Sequence, residues 1–122
     1  MDLGTALTYA TDTAHFETGE IIEKCGTVYR KYFGDRKGFV VADENTFEVA
    51  GRTASEHLAR EGVILDEPLI FPGSPVLPCD YRIIVELRDD IKSRGAVPIA
   101  VGSGTLNDLV KVASFEADTK YM

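Results

Sequence analysis

The residues best suited to chemistry in this sequence are two glycines that flank a serine. Gly102-Ser103-Gly104 follows a short apolar run, and the residues after it return to apolar positions at helical spacing. The pattern predicts a buried strand, a tight turn and then a helix. The first N–H groups of a helix have no partner within it and lie at the positive end of its dipole. Such a turn can bind a phosphate, although similar turns also occur without any ligand.

Carboxylates lie near two of the predicted strand ends. Asp43 follows the apolar run 38–42, where it could accept hydrogen bonds from a nucleotide ribose or simply begin the next helix. An acid there would also repel the additional phosphate of NADP and favour NAD. Asp108 lies one turn into the helix after the glycines, where it faces a ligand or complements the helix dipole. Asn107 is equally open to capping and contact roles.

The order of these groups differs from the common dinucleotide-binding fingerprint. In that fingerprint the glycine-rich turn comes first, and the acid follows about 20 residues later. Here Asp43 precedes Gly102 by about 60 residues. An ordinary Rossmann order is therefore wrong or permuted, and the two groups meet only where the fold brings their strand ends together.

Helices and strands are predicted to alternate along the chain. Apolar residues recur at steps of three and four in several segments, and short apolar runs separate these segments. The predicted helices begin near Thr18, Asn45, Asp80 and Gly104 and end near Gly34, Gly62, Gly95 and Glu116. The predicted strands are 38–42, 69–71 and 97–101, with an edge strand near His15-Phe16 and the approach to another strand at 120–122.

This alternation predicts an α/β fold, a three-layer Rossmann-like domain with a mainly parallel sheet and helices on both faces. Asn45 with Glu48 resembles a capping box at the start of the second helix. Right-handed crossovers bring the carboxyl ends of the strands to one edge, where ligands of open α/β sheets bind. Asp43 and the glycine turn are therefore expected to share one cleft.

Composition restricts the partners. The chain has 122 residues and a net charge of −7, with no cluster of Lys and Arg, so nucleic acid and anionic membranes are poor partners. There is no 18-residue apolar run and no basic leader, which predicts neither a membrane span nor a secretory signal. Cys25 and Cys79 lie far apart without metal-type spacing, so free thiols in a reducing cytoplasm are expected. His15 and His57 have no partners at metal-ligand spacing, so no metal site is predicted.

The run from Pro98 to Lys111 closely resembles the pyrophosphate-binding segment of sn-glycerol-1-phosphate dehydrogenases. These belong to the superfamily of iron-containing alcohol dehydrogenases, glycerol dehydrogenases and 3-dehydroquinate synthases. The run from Val40 to Thr46 also matches in the expected order, and Ala10-Thr11-Asp12-Thr13 matches more weakly. The resemblance covers nearly the whole chain and accounts for the acid that precedes the glycines.

The resemblance implies that residues 1–122 form an N-terminal NAD(P)-binding domain, with residues 1–17 poorly defined. The glycine turn would hold the pyrophosphate of NAD or NADP through its backbone, and Asp43 would address the adenosine ribose. Asp108 matches the family aspartate that lines the nicotinamide and substrate end of the cleft. The implied cofactor-binding residues are Asp43, Asn45, Gly102, Ser103, Gly104 and Thr105.

The implied reaction is hydride transfer between NAD(P)H and dihydroxyacetone phosphate, a small polyol-phosphate substrate. Family members are much longer and hold zinc or another divalent metal in a helical C-terminal domain, whose ligands would lie beyond Met122. Because the metal polarises the substrate carbonyl, the chain by itself is expected to be inactive.

Two other classes of function also fit parts of the sequence. A response-regulator-like phosphoacceptor domain fits the length, the acidity and Asp43-Glu44 at a strand end. That design also needs a Lys at the end of a later strand, whereas the third strand here ends in Gly-Ser-Gly. A non-catalytic binding or assembly module is the other alternative, and it predicts self-association as a homo-oligomer through exposed apolar surface.

Overall fold

Strands and helices alternate through residues 21–122, the part of the chain that the computed structural model describes. The strands are β1 (Gly38–Asp43), β2 (Leu69–Phe71) and β3 (Val97–Ala100). The helices are α1 (Cys25–Phe33, after a 3-10 turn at Ile22–Lys24), α2 (Glu44–Thr46, a π-helical stretch Phe47–Gly51 and Arg52–Arg60), α3 (Tyr81–Arg94) and α4 (Gly104–Glu116). The predicted edge strand near His15-Phe16 and the predicted cap at Thr18 lie outside the described residues.

The three strands form one parallel sheet in the order β2-β1-β3. Residues 38–42 of the central strand are all buried, because helices cover both faces of the sheet. The register pairs Asp43 with Phe71 of β2 and Val41 with Ala100 of β3. All three strands therefore end at the same edge of the sheet.

The core is divided between the two faces of the sheet. Alternate residues of β1 point to opposite faces, so Phe39 and Val41 lie on one side and Val40 and Ala42 on the other. The first side packs against the apolar stripes of α3 and α4, formed by Ile84, Leu87, Ile91, Leu106, Leu109, Val110 and Ala113. The second side packs against α1 and α2 through residues that include Tyr29 and Leu58. The predicted three-layer α/β fold is confirmed.

Helix α3 has the predicted ends. The Asp80 carboxylate accepts a hydrogen bond from the backbone N–H of Arg82 at 2.9 Å, and this bond holds the pKa of the Asp80 carboxyl below its usual value. At the other end Gly95 adopts the left-handed conformation, with φ of 58°. A residue with a Cβ is strained there, which explains why glycine ends this helix.

Helix α2 begins differently from the prediction. The capping box is formed by Asp43 and Thr46, and the predicted pairing of Asn45 with Glu48 is wrong. Both Asp43 and Asn45 are good N-cap residues, so local sequence does not distinguish them. The sheet does, because β1 continues to Asp43 in register with Phe71 and the helix starts at the next residue.

The last residue continues the sheet beyond β3. The N–H of Met122 donates to the carbonyl of Pro98 at 3.0 Å, and the carbonyl of Met122 accepts from the N–H of Ala100 at 2.6 Å. This is the bonding pattern of neighbouring parallel strands. The predicted approach to another strand at 120–122 is confirmed. No helix within residues 21–122 is long and apolar enough to cross a membrane.

Candidate functional site

The ends of β1 and β3 bring the predicted site residues together. The parallel ladder extends one step past β3, since the N–H of Val101 donates to the carbonyl of Val41 at 2.9 Å. The turn 102–104 therefore begins directly beside Asp43. The cleft predicted between the acid and the glycines corresponds to a real juxtaposition at the carboxyl edge of the sheet.

Asp43 and Thr46 are bonded to each other in both directions. The N–H of Thr46 donates to Asp43 Oδ1 at 2.7 Å, and the N–H of Asp43 donates to Thr46 Oγ1 at 3.1 Å. Asp43 thus has the capping role that its position allowed. No described residue donates to Asp43 Oδ2, so one carboxylate oxygen remains available to a ligand.

Gly102 is a glycine for reasons internal to the fold. A Cβ at this position would lie 2.6 Å from Leu106 Cδ2 and 3.3 Å from Thr46 Oγ1. Leu106 is a core residue with 1% of its surface exposed, so it has little room to move. The close approach of the turn to the core and to Thr46 therefore requires glycine here.

Neither backbone conformation nor packing within the described residues requires a glycine at position 104. A Cβ built on it would meet no heavy atom within 4 Å, and its φ lies outside the left-handed region. The other eight glycines in residues 21–122 have either a positive φ or a neighbouring atom that a Cβ would crowd. Gly104 is also the first residue of α4, where glycine costs stability relative to alanine. Open space in front of this backbone fits the close approach of a ligand.

The start of α4 presents unpaired donors in the same place. Ser103 is the N-cap residue, but its side chain makes no capping hydrogen bond. Its carbonyl accepts from the N–H of Asn107 at 3.0 Å, while the N–H groups of Gly104, Thr105 and Leu106 have no acceptor among residues 21–122. Unpaired N–H groups at the positive end of a 13-residue helix suit an anionic group.

A third loop reaches this edge from the end of β2, and the sequence did not identify it as part of the site. The N–H of Gly73 donates to Glu44 Oε1 at 3.3 Å, and a Cβ on Gly73 would lie 2.9 Å from Asn45 Nδ2. Asn45 therefore borders the β2 loop. The available signal was the position of the proline-rich segment 72–78 directly after a strand that ends at the same edge.

Asp108 lies farther along α4 than the other predicted site residues. It is exposed and makes no ion pair with any residue in the range 21–122. Its placement leaves it accessible to a ligand that extends from the turn along the helix. Within residues 21–122, no side-chain hydrogen bond or ion pair joins Asp108 to Asp43, Asn45 or the glycine turn.

The described residues offer no metal site. Residues 21–122 contain no group of three or more His, Cys, Asp and Glu side chains that could hold a metal ion. His57 is half-buried on α2, and His15 lies outside the described residues. Two cavities, lined in common by Arg36, Asp118 and Thr119, lie at the opposite edge, where β1 and β3 begin.

Comparison with known proteins identifies the family. The family model described as iron-containing alcohol dehydrogenase matches residues 16–122. The chain belongs to this family. Membership separates it from the phosphoacceptor domains that its length and acidity also suggested, and it agrees with the acid that precedes the glycines in the sequence.

The curated relatives that match this chain include glycerol-1-phosphate dehydrogenases from two bacteria. The glycerol-1-phosphate dehydrogenase [NAD(P)+] of Bacillus subtilis (strain 168) is 34% identical over 85 residues, which cover 68% of this chain and 21% of the relative. The enzyme of the same name from Geobacillus thermodenitrificans (strain NG80-2) is 30% identical over 95 residues, which cover 77% of this chain and 24% of the relative. The matched segments thus span about a fifth to a quarter of these longer proteins.

A solved structure supports the fold of this family member. The 2-epi-5-epi-valiolone synthase of Streptomyces hygroscopicus subsp. jinggangensis 5008, solved with NAD+ and Zn2+ bound, aligns with a TM-score of 0.63 and 16% identity. The alignment covers 92% of this chain and 32% of the synthase. At this level of identity the likeness establishes the Rossmann-like architecture alone.

Proposed function

We propose that this chain is the N-terminal NAD(P)-binding domain of a glycerol-1-phosphate-type dehydrogenase. The observation that carries the proposal is Gly104, a glycine that neither backbone conformation nor packing explains, at the open start of a helix. Binding of a dinucleotide pyrophosphate would explain a glycine at this position, because phosphate oxygens approach main-chain N–H groups most closely where there is no side chain. The curated relatives supply the matching enzyme class.

In this proposal, different residues at the carboxyl edge of the sheet bind different parts of the cofactor. The N–H groups of Gly104 and Thr105 bind the pyrophosphate, together with the turn from Gly102 and the side chain of Ser103. Asp43 receives the ribose hydroxyls on Oδ2, since Oδ1 is committed to Thr46. Asn45 borders the ribose from the β2 loop, and Asp108 faces the nicotinamide and the polyol phosphate.

The proposed reaction is hydride transfer between NAD(P)H and dihydroxyacetone phosphate in the complete enzyme. A divalent metal would polarise the carbonyl in that enzyme, but residues 21–122 contain no side-chain group that fits it. The part that we assign to these residues is therefore to bind and orient the dinucleotide. We propose that the 122-residue chain binds cofactor without turning over substrate.

Titration of the chain with NADH tests this proposal. NADH absorbs and emits at longer wavelengths than protein side chains, so its emission can be followed without interference from the protein. Saturable binding below about 1 mM is expected, which corresponds to about 4 kcal/mol of binding free energy. A sample that is folded by circular dichroism and shows no saturation up to that concentration would contradict the proposed function.

NADPH is expected to bind at least tenfold more weakly than NADH. The carboxylates of Asp43 and Glu44 lie at the end of β1, where the 2′-phosphate of NADPH would meet like charge. The two affinities are compared by the same fluorescence titration at low ionic strength. In Asp43→Asn the amide oxygen still caps α2, so the preference for NADH should shrink while the melting temperature stays near that of wild type. Equal affinities in the wild-type chain would contradict the ribose role of Asp43.

A further inference from the structure

The side chain of Thr46 lies between the two turns that form the proposed cofactor site. We propose that Thr46 is a positioning residue, whose hydroxyl sets the distance between the ribose-binding carboxylate and the pyrophosphate-binding turn. This inference rests on the proposed function. The sequence offered no sign of it, since Thr46 falls within a helix and next to more obvious cap residues.

On the β1 side, Thr46 controls the orientation of Asp43. Its hydroxyl oxygen accepts from the N–H of Asp43 at 3.1 Å, and its own N–H donates to Asp43 Oδ1 at 2.7 Å. The two bonds close a ring that holds the Asp43 carboxylate in one orientation. The oxygen that they leave unbonded by any described residue, Oδ2, is the one that we assign to the ribose.

On the β3 side, the same hydroxyl lies beside the glycine turn. A Cβ on Gly102 would be only 3.3 Å from Thr46 Oγ1, so this oxygen bounds the space on one side of the turn. Leu106 bounds Gly102 from the core side, where a Cβ would lie 2.6 Å from its Cδ2. The turn is therefore bounded by a core residue on one side and by Thr46 on the other.

A helix cap alone would not require this second contact. Loss of a cap lowers the stability of a helix, and it has no direct effect on a ligand bound elsewhere. Thr46 differs because its hydroxyl oxygen both accepts from the backbone N–H of Asp43 and lies beside Gly102. A binding site is sensitive to the spacing of its groups, and a displacement of about 1 Å is enough to weaken binding strongly.

The test compares three variants of the full 122-residue chain by NADH titration and thermal unfolding. Thr46→Val removes the hydroxyl at constant volume and should weaken NADH binding at least tenfold. Thr46→Ser keeps the hydroxyl and should bind within about twofold of wild type. The control is Gly95→Ala, which strains the left-handed end of α3 at the opposite edge; it should lower the melting temperature and leave NADH affinity unchanged.

Thr46→Ala replaces the valine variant if valine prevents folding, and it should lose affinity in the same way. Affinity within twofold of wild type in the folded valine or alanine variant would overturn the positioning role and leave the proposed function intact. An equal loss of affinity in Gly95→Ala would also overturn it, since the effect would then follow stability. If the folded wild-type chain does not bind NADH, the proposed function and this inference both fail.

Discussion

Replacement of Gly104 by valine is expected to abolish NADH binding at millimolar concentration without lowering the melting temperature. A Cβ at this position meets no atom within 4 Å in the free protein, so a side chain there occupies the place of the ligand. Glycine is also a poorer helix former than alanine or valine, so the substitution does not cost helix stability. Binding is measured by NADH fluorescence and stability by thermal unfolding of the same samples.

Two alanine variants separate ligand effects from packing effects in the same turn. Gly104→Ala should weaken NADH binding about tenfold, or about 1.4 kcal/mol, at unchanged stability. Gly102→Ala should lose stability by about 1–2 kcal/mol, because its Cβ would crowd the buried side chain of Leu106. Wild-type NADH affinity in Gly104→Val, where the wild-type chain binds, would exclude the pyrophosphate from this position.

Replacement of Arg94 by alanine is expected to lower the free energy of unfolding by about 2–3 kcal/mol. Arg94 is the last residue of α3, and only 18% of its side chain is exposed. Its Nε donates to Asp90 at 2.8 Å, and its Nη1 donates to Asp66 at 3.3 Å and to the carbonyl of Glu67. The guanidinium also lies 4.4 Å from the centre of the Phe39 ring.

Arg94 connects the segment before β2 to α3 through hydrogen bonds, and it contacts the central strand through Phe39. Its loss leaves a half-buried pair of carboxylates and a loop carbonyl without their shared partner, which is costlier than the loss of an exposed ion pair. Arg94→Lys should recover only part of the stability, because an ammonium cannot match the fork of the guanidinium or its stacking on Phe39. Urea unfolding at low and high salt measures both variants.

The matched control is Arg52→Ala, which removes an ion pair on the surface of α2. Arg52 bonds Glu48 at 2.6 Å, but both side chains are more than half exposed. Its loss should cost no more than about 0.5 kcal/mol. Similar losses in Arg94→Ala and Arg52→Ala would show that the network at Arg94 has no special contribution to stability.

The location of the candidate site could be predicted from the sequence. The separate roles of its residues, and the contacts between them, could not. The glycine turn and Asp43 were located because both follow recognisable buried strands and parallel strands end at one edge. The distinct reasons for the two glycines were not predictable, since one depends on Leu106 and Thr46 and the other on empty space. Likewise, the contact of Gly73 with Glu44 joins residues from different strand ends.

The sequence by itself determined the layers and most element bounds of this protein. The strand 69–71, the cap at Asp80 and the stop at Gly95 were predicted from signals within a few residues of each other. Only the tertiary structure decided that Asp43 begins α2 and that Thr46 lies between Asp43 and Gly102. It also decided that Gly104, unlike the other glycines in residues 21–122, has neither a positive φ nor a crowding neighbour. Caps and periodicity are short-range properties of the chain, whereas the distance between two turns about 60 residues apart is set by how the sheet pairs and the core packs.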